Sequence, residues 1–247
     1  MARRSGGVQG RGVDEPGAVV EAKAQKPARA AALKFGPTLR PGPEGGRRDQ
    51  NRKEKVRGLE EAALRLFLER GLDGVTIDDI TQACGVAKGT FYRYFDDKDA
   101  LVESLLAPVR DELTEALVLC GKALGAAREV PAMYDAYRAL GGTFFGVILK
   151  HAGMVRLYLQ ESRGPAVGAR TRIVAFSRLL TGHALSITGK AHSHGLLRPV
   201  RPEVSALAVV GAVERLLYAV LSEEEIGNPL EAPDLLVSII LDGLRKK

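Results

Sequence analysis

Tryptophan is absent from this 247-residue chain, and phenylalanine and tyrosine together supply only 5% of it. Where rings are this scarce, a place that crowds them is informative. The two cysteines, Cys84 and Cys120, stand far apart, without CxxC or Cys/His spacing. That argues against a disulfide scaffold or a structural zinc site, and for a reducing compartment. No run of eighteen apolar residues occurs, and the longest candidates, 204–213 and 235–241, are too short to span a bilayer. Arg3 and Arg4 are not followed by the apolar segment of an export signal. Neither hairpin signals nor an internal repeat is present, and no serine, cysteine or carboxylate pair stands in a catalytic arrangement. His192 and His194, two residues apart, fall on different helix faces with no cysteine or carboxylate cluster beside them. The expectations are a cytoplasmic location off the membrane, no metal, no cofactor and no enzyme activity.

What is present divides the chain by charge. Of the formal net charge of +6, residues 1–50 carry +5. They hold nine of the 28 glycines and five of the 12 prolines, with little to build a core from. This segment reads as a disordered basic tail. It ends in Arg40, Arg47 and Arg48, and the following stretch adds Arg52, Lys53, Lys55 and Arg57. Such an arm can reach an adjacent minor groove, raise non-specific DNA affinity through counterion release, or be a solvated extension.

From Asn51 the apolar residues recur at helical spacing: Val56, Leu59, Ala63, Leu66 and Phe67, closed by Gly71. Thr76 and Asp79 make a capping box ahead of Ile77, Ile80 and Ala83, and Gly85 closes that short helix. A third helix is predicted over 88–95. Asp97 caps a fourth, and helices are predicted over 98–122, 132–150, 152–162, 168–194, 202–222 and 233–245. Breaks fall at Pro131, Gly164-Pro165, Pro199 and Asn228-Pro229. With 45% apolar residues to build a core, this is an all-α chain.

The third helix holds four of the scarce rings: Phe91, Tyr92, Tyr94 and Phe95. At about 100° per residue, Phe91 and Phe95 lie about 40° apart on one side. Gly89 and Arg93 lie on the opposite side, flanked by Thr90 and Tyr92. Phe91 and Phe95 then anchor the helix, while Lys88, Thr90, Tyr92 and Arg93 face outward and Gly89 lets another surface approach the backbone. Two short helices joined by a tight glycine turn, the second with such a face, form a helix-turn-helix.

The segments "AALRLFLERG" and "VTIDDITQACGVAKGTFYRYF", followed by Lys98 and Leu101, resemble the DNA-binding region of TetR-type transcriptional regulators over about residues 56–106. The resemblance implies a three-helix DNA-reading domain at 51–97 and a larger helical domain at 98–247 that binds an effector and dimerises. It implies that Thr76 touches phosphate, that Lys88, Gly89 and Thr90 face bases and nearby backbone, and that Tyr92 and Tyr94 bind phosphate. Lys98 would pin the strand from the fourth helix, with Arg57 and Arg93 completing the DNA-facing set. Ala87 stands where many members carry a hydroxyl, and Tyr94 where histidine is also frequent. The implied function is an effector-released repressor acting as a homodimer on a palindromic double-stranded operator. The alternatives are an activator of the same fold, or a helical ligand carrier or enzyme with incidental resemblance.

In the second half, the helix at 202–222 is apolar almost all round apart from Glu214 and Arg215. Such a helix is buried on every side, either at the centre of one domain or in a seam between subunits. The seam residues would include Leu207, Gly211, Glu214, Arg215, Tyr218 and Ile239. For a largely apolar small-molecule effector the candidates are Tyr134, Tyr137, Phe144, Phe145 and Ile148, beside Gly141-Gly142. Phe176 and His183, on a face with Leu179 and Ile187, would complete the pocket.

Overall fold

The computed structural model describes residues 46–244, so the readings made for residues 1–45 lie outside the described residues. Among the described residues there are nine helices and no β-strand. They are α1 (Arg47–Arg70), α2 (Ile77–Ala83), α3 (Lys88–Phe91), α4 (Lys98–Ala126), α5 (Val130–Lys150), α6 (Ala152–Glu161), α7 (Arg170–Ser193), α8 (Pro202–Leu221) and α9 (Ala232–Leu244).

Local signals account for the head. The α1 residues Leu59, Ala62, Ala63, Leu66 and Phe67 are buried at i, i+3, i+4 spacing. Gly71, at φ +73°, ends the helix, and its N–H donates to the Phe67 carbonyl. At the start of α2, the Asp79 N–H donates to Thr76 Oγ1 at 3.2 Å and the Thr76 N–H donates to Asp79 Oδ2 at 2.8 Å. The expected capping box is therefore complete. Gly85, at φ +67°, makes the turn into α3.

In the head, two boundaries differ from expectation. α1 begins at Arg47, four residues inside the segment read as tail, because Arg47–Gln50 are polar and leave no apolar periodicity to detect. α3 is regular only to Phe91. Beyond it the Tyr94 N–H bonds the Phe91 carbonyl three residues back at 2.9 Å, and the Phe95 N–H bonds the same oxygen at 3.0 Å. That tight turn still brings Phe91 and Phe95 together in the core, with ring centroids 5.6 Å apart.

The 29-residue α4 leaves the head, capped by Asp97, whose Oδ1 accepts the Ala100 N–H at 2.7 Å. It runs through the body and packs most extensively against α7 and α5. One core cluster is continuous from the head (Leu59, Phe67, Phe91) along α4 (Leu101, Leu106, Val109) to α6 and α7 (Leu157, Tyr158, Phe176). A second, around Leu124, Met133, Ile187 and Leu197, fills the distal end of the body.

A buried polar clamp fastens the head to the body. Glu161, buried at the end of α6, accepts the Leu72 N–H at Oε1 (2.9 Å) and Arg170 Nε at Oε2 (2.7 Å). Arg170 also donates to Asp73 at 2.7 Å. A Cβ on Gly71 would lie 3.2 Å from Glu161 Oε1, so the chain turns here against the carboxylate itself. Removing one member of a buried pair strands the other in low dielectric. Glu161→Ala is expected to lower stability by roughly 3–5 kcal/mol, read from the urea midpoint. A midpoint shift worth under about 1 kcal/mol would show that the clamp carries little of the fold.

Candidate nucleic-acid interface and apolar cavity

α3 and the tight turn after it present most of the residues expected to face outward. Lys88, Gly89, Tyr92 and Arg93 are exposed, and Thr90 is half-buried. Among the described residues nothing beyond its own neighbours lies within 4 Å of where a Gly89 Cβ would stand, leaving the backbone open to a second surface. Lys88 Nζ stands 2.8 Å from Asp78 Oδ1 on α2, and that hydrogen-bonded contact raises its pKa above the ordinary lysine range. It is fully cationic near neutrality, and a phosphate or base edge must compete with Asp78 for it. Ala87 precedes α3 without any side-chain cap. Arg57 is exposed on α1, 3.5 Å from Glu61 in an open i,i+4 pair of little strength, so its guanidinium can be shared.

Three residues of the expected DNA-facing set make contacts within the protomer. The Thr76 hydroxyl accepts from the Asp79 N–H and donates to the Asp79 carboxylate, so capping occupies it. Tyr94 is half-buried against the head core, unlike Tyr92 with its 50% exposure. Lys98 turns inward: Nζ donates to the Leu72 and Val75 carbonyls at 2.7 and 3.0 Å. It holds the α1–α2 turn to the start of α4, a contact 23 and 26 residues long in sequence that no local pattern reveals.

In the body a cavity of about 220 Å³ lies between α4, α5, α6, α7, α8 and α9. Tyr137, Phe144, Phe145, Ile148 and Phe176 line it as expected. Tyr134 and His183 do not. The Tyr134 hydroxyl donates to Asp242 on α9. On α7 the lining stripe is Phe176, Leu180, Ala184 and Ile187, whereas the sequence reading ran through Leu179 and His183. Both are legitimate i+3/i+4 paths between 176 and 187, so periodicity alone does not separate them. Sequence reasoning missed the α4 wall, although Leu106, Val109, Leu113 and Leu117 show the spacing. A Cβ on Gly141 would meet Pro233 at 3.6 Å, an ordinary contact, so the crossing with the α9 side does not depend on the glycine.

The α8 expectation changes in a specific way. By length and composition this helix could cross a membrane, and it is apolar all round, but within the protomer only Ser205, Ala206 and Ala219 are buried. Val204, Leu207 and Tyr218 on α8 are 62%, 56% and 52% exposed, and Ile239 on α9 is 70% exposed. Within the protomer α8 is therefore not buried on every side. Glu214 is not on the outer stripe. It turns inward, accepting the Tyr158 hydroxyl at 2.6 Å and pairing with Arg163. Arg215, about 100° further round, faces out to Glu224 at 2.8 Å and lies over the Tyr218 ring.

A helix-turn-helix head on a helical body with an internal apolar cavity defines a class of DNA-reading protein. Residues 59–105 match the family described as bacterial regulatory proteins, tetR family. Over these residues the chain carries a domain of that family. It is 32% identical over 113 residues to the HTH-type transcriptional regulator YuxN of Bacillus subtilis, covering 46% of this chain and 37% of that one. It is 40% identical over 55 residues to the HTH-type transcriptional repressor KstR2 of Rhodococcus jostii, covering 22% and 27%. The matched part thus spans about a third of these curated relatives' length. The fold of NalD, described as the secondary repressor of the MexAB-OprM multidrug efflux pump in Pseudomonas aeruginosa, superposes with a TM-score of 0.60. That match has 19% identity and covers 80% of this chain and 99% of the other.

Because Thr90 and Tyr92 face away from the core, Thr90→Ala combined with Tyr92→Phe is expected to change stability by no more than about 0.5 kcal/mol. The same pair should weaken binding to a selected DNA site by roughly tenfold or more, measured by fluorescence anisotropy. Wild-type affinity in the double variant would assign DNA contact to another face.

Proposed function

We propose that the protein is a cytoplasmic, homodimeric transcriptional repressor whose two α3 helices enter successive major grooves of a palindromic operator, and which a small ligand releases. The carrying observation is the outward set on α3: Lys88, Thr90, Tyr92 and Arg93 around an unobstructed Gly89. Cationic and hydroxyl donors at a helix-turn-helix's second helix suit phosphate positioning and base-edge contact. The DNA-reading domain takes in 51–97, extended back to Arg47, and the regulatory domain takes in 98–247. Repressor names among the relatives, KstR2 and NalD, favour repression over activation.

The partner subunit covers the exposed stripe of α8, Val204, Leu207, Gly211, Arg215 and Tyr218, together with Leu235 and Ile239 of α9. Contiguous apolar area of this kind is unusual on a solitary soluble surface and normal in a subunit seam. Two-fold pairing of such helices sets the distance between reading heads. The cavity lining includes α4, which starts inside the head, so a ligand that prefers one arrangement of the body shifts the heads with it.

Selection of bound duplexes from a random pool tests the reading; it should return an inverted repeat whose binding weakens steeply with salt. Gly211→Glu sharpens it, because among the described residues of the protomer nothing lies within 4 Å of where a Gly211 Cβ would stand. The substitution spares the fold and places a charge in the seam. Light scattering should then report monomers, and affinity for the inverted repeat should fall. A normal dimer bound to the same repeat would put the seam elsewhere.

A further inference from the structure

The cavity's charge accounting narrows its ligand, on the reading of it as the effector site. Among the described residues no lysine, arginine or histidine lines it, and its polar side chains are Tyr137, Tyr158, Thr188 and Glu214. None of the four is a cation. Tyr158 donates to Glu214, and Tyr137 and Thr188 contribute neutral hydroxyls. Arg163, 76% exposed and outside the lining, neutralises Glu214 from the surface side. The rest of the wall is hydrocarbon. A carboxylate or phosphate ligand would bury its charge with no cation to meet it, against the inward-facing Glu214. An ammonium would have to take Glu214 from Arg163. Either is costly in such surroundings.

We infer that the ligand is an uncharged, predominantly hydrocarbon molecule with at most one hydroxyl or carbonyl group. At about 220 Å³ the space exceeds the ~150 Å³ engineered cavity that takes benzene. It therefore admits a chain of about eight to ten carbons or a compact ring system of that size. The ligand's polar group meets the Tyr137 and Thr188 hydroxyls, each of which can donate to a carbonyl or exchange hydrogen bonds with a hydroxyl.

The test uses three probes of one length: 1-decanol, decanoate and decylammonium, below their micellar concentrations at pH 8, titrated into the full-length protein. Binding is followed by thermal shift and calorimetry, and DNA release by anisotropy. The neutral alcohol should bind at least about tenfold tighter than either ion. Ala184→Leu, which fills the cavity from α7, should abolish the response while the variant unfolds cooperatively. Should that variant misfold, Val209→Phe on α8 serves the same purpose. Tighter binding of decanoate or decylammonium, or failure of all three to bind, overturns the inference. Decanol that binds the cavity yet leaves DNA affinity unchanged upholds the inference and contradicts the effector role instead.

Discussion

Glu161 lies buried at the end of α6 with both carboxylate oxygens occupied, one by the Leu72 amide of the head and one by Arg170 of α7. An ionised carboxylate can remain in such a place only while both partners hold. The constraint therefore works in two directions. It fixes the turn after α1, and it forces the ends of α6 and α7 to keep their spacing. Arg170 extends the tie to Asp73 on the next residue of the head. Lys98 closes the same turn from the α4 side, through the Leu72 and Val75 carbonyls. The α1–α2 turn is thus held by two cations and one anion from three different helices.

Those three helices are also walls of the cavity. Leu106 and Val109 of α4, Met154 and Tyr158 of α6, and Phe176 of α7 line it within a few turns of the polar ties. α6 further crosses α1 closely, with a Gly153 Cβ only 3.1 Å from Leu64. Packed interiors resist gradual deformation, so a ligand that respaces these helices moves the head as a unit. The size of the effect is bounded by the ligand's differential affinity for the two arrangements.

The head was legible in sequence because its determinants are close neighbours: the Thr76–Asp79 box, the glycines at 71 and 85, and the ring pair at 91 and 95. Each acts across four residues or fewer. Residues whose roles depend on distant partners were not legible. Lys98 reads as an exposed cation at a helix start and is a backbone tie; Glu161 and Leu72 are 89 residues apart. The apolar stripe of α7 admitted two paths, and the wrong one carried His183. Glu214 and Arg215 read as one charged spot on the seam, although adjacent residues of a helix point in different directions and only Arg215 faces outward. α8 announced its apolar surface plainly, but composition does not say which side of it the protomer covers.

The most direct test of the account is the DNA affinity ratio without and with saturating 1-decanol, compared between the wild type and Glu161→Gln. The amide substitution keeps an acceptor for the Leu72 N–H and removes the charge that holds Arg170. For the wild type the account predicts a ratio of about 5 to 150, the usual range of coupling between sites. For a folded Glu161→Gln protein that still binds both decanol and DNA, it predicts a ratio close to one. A folded variant that keeps the full wild-type ratio would contradict it.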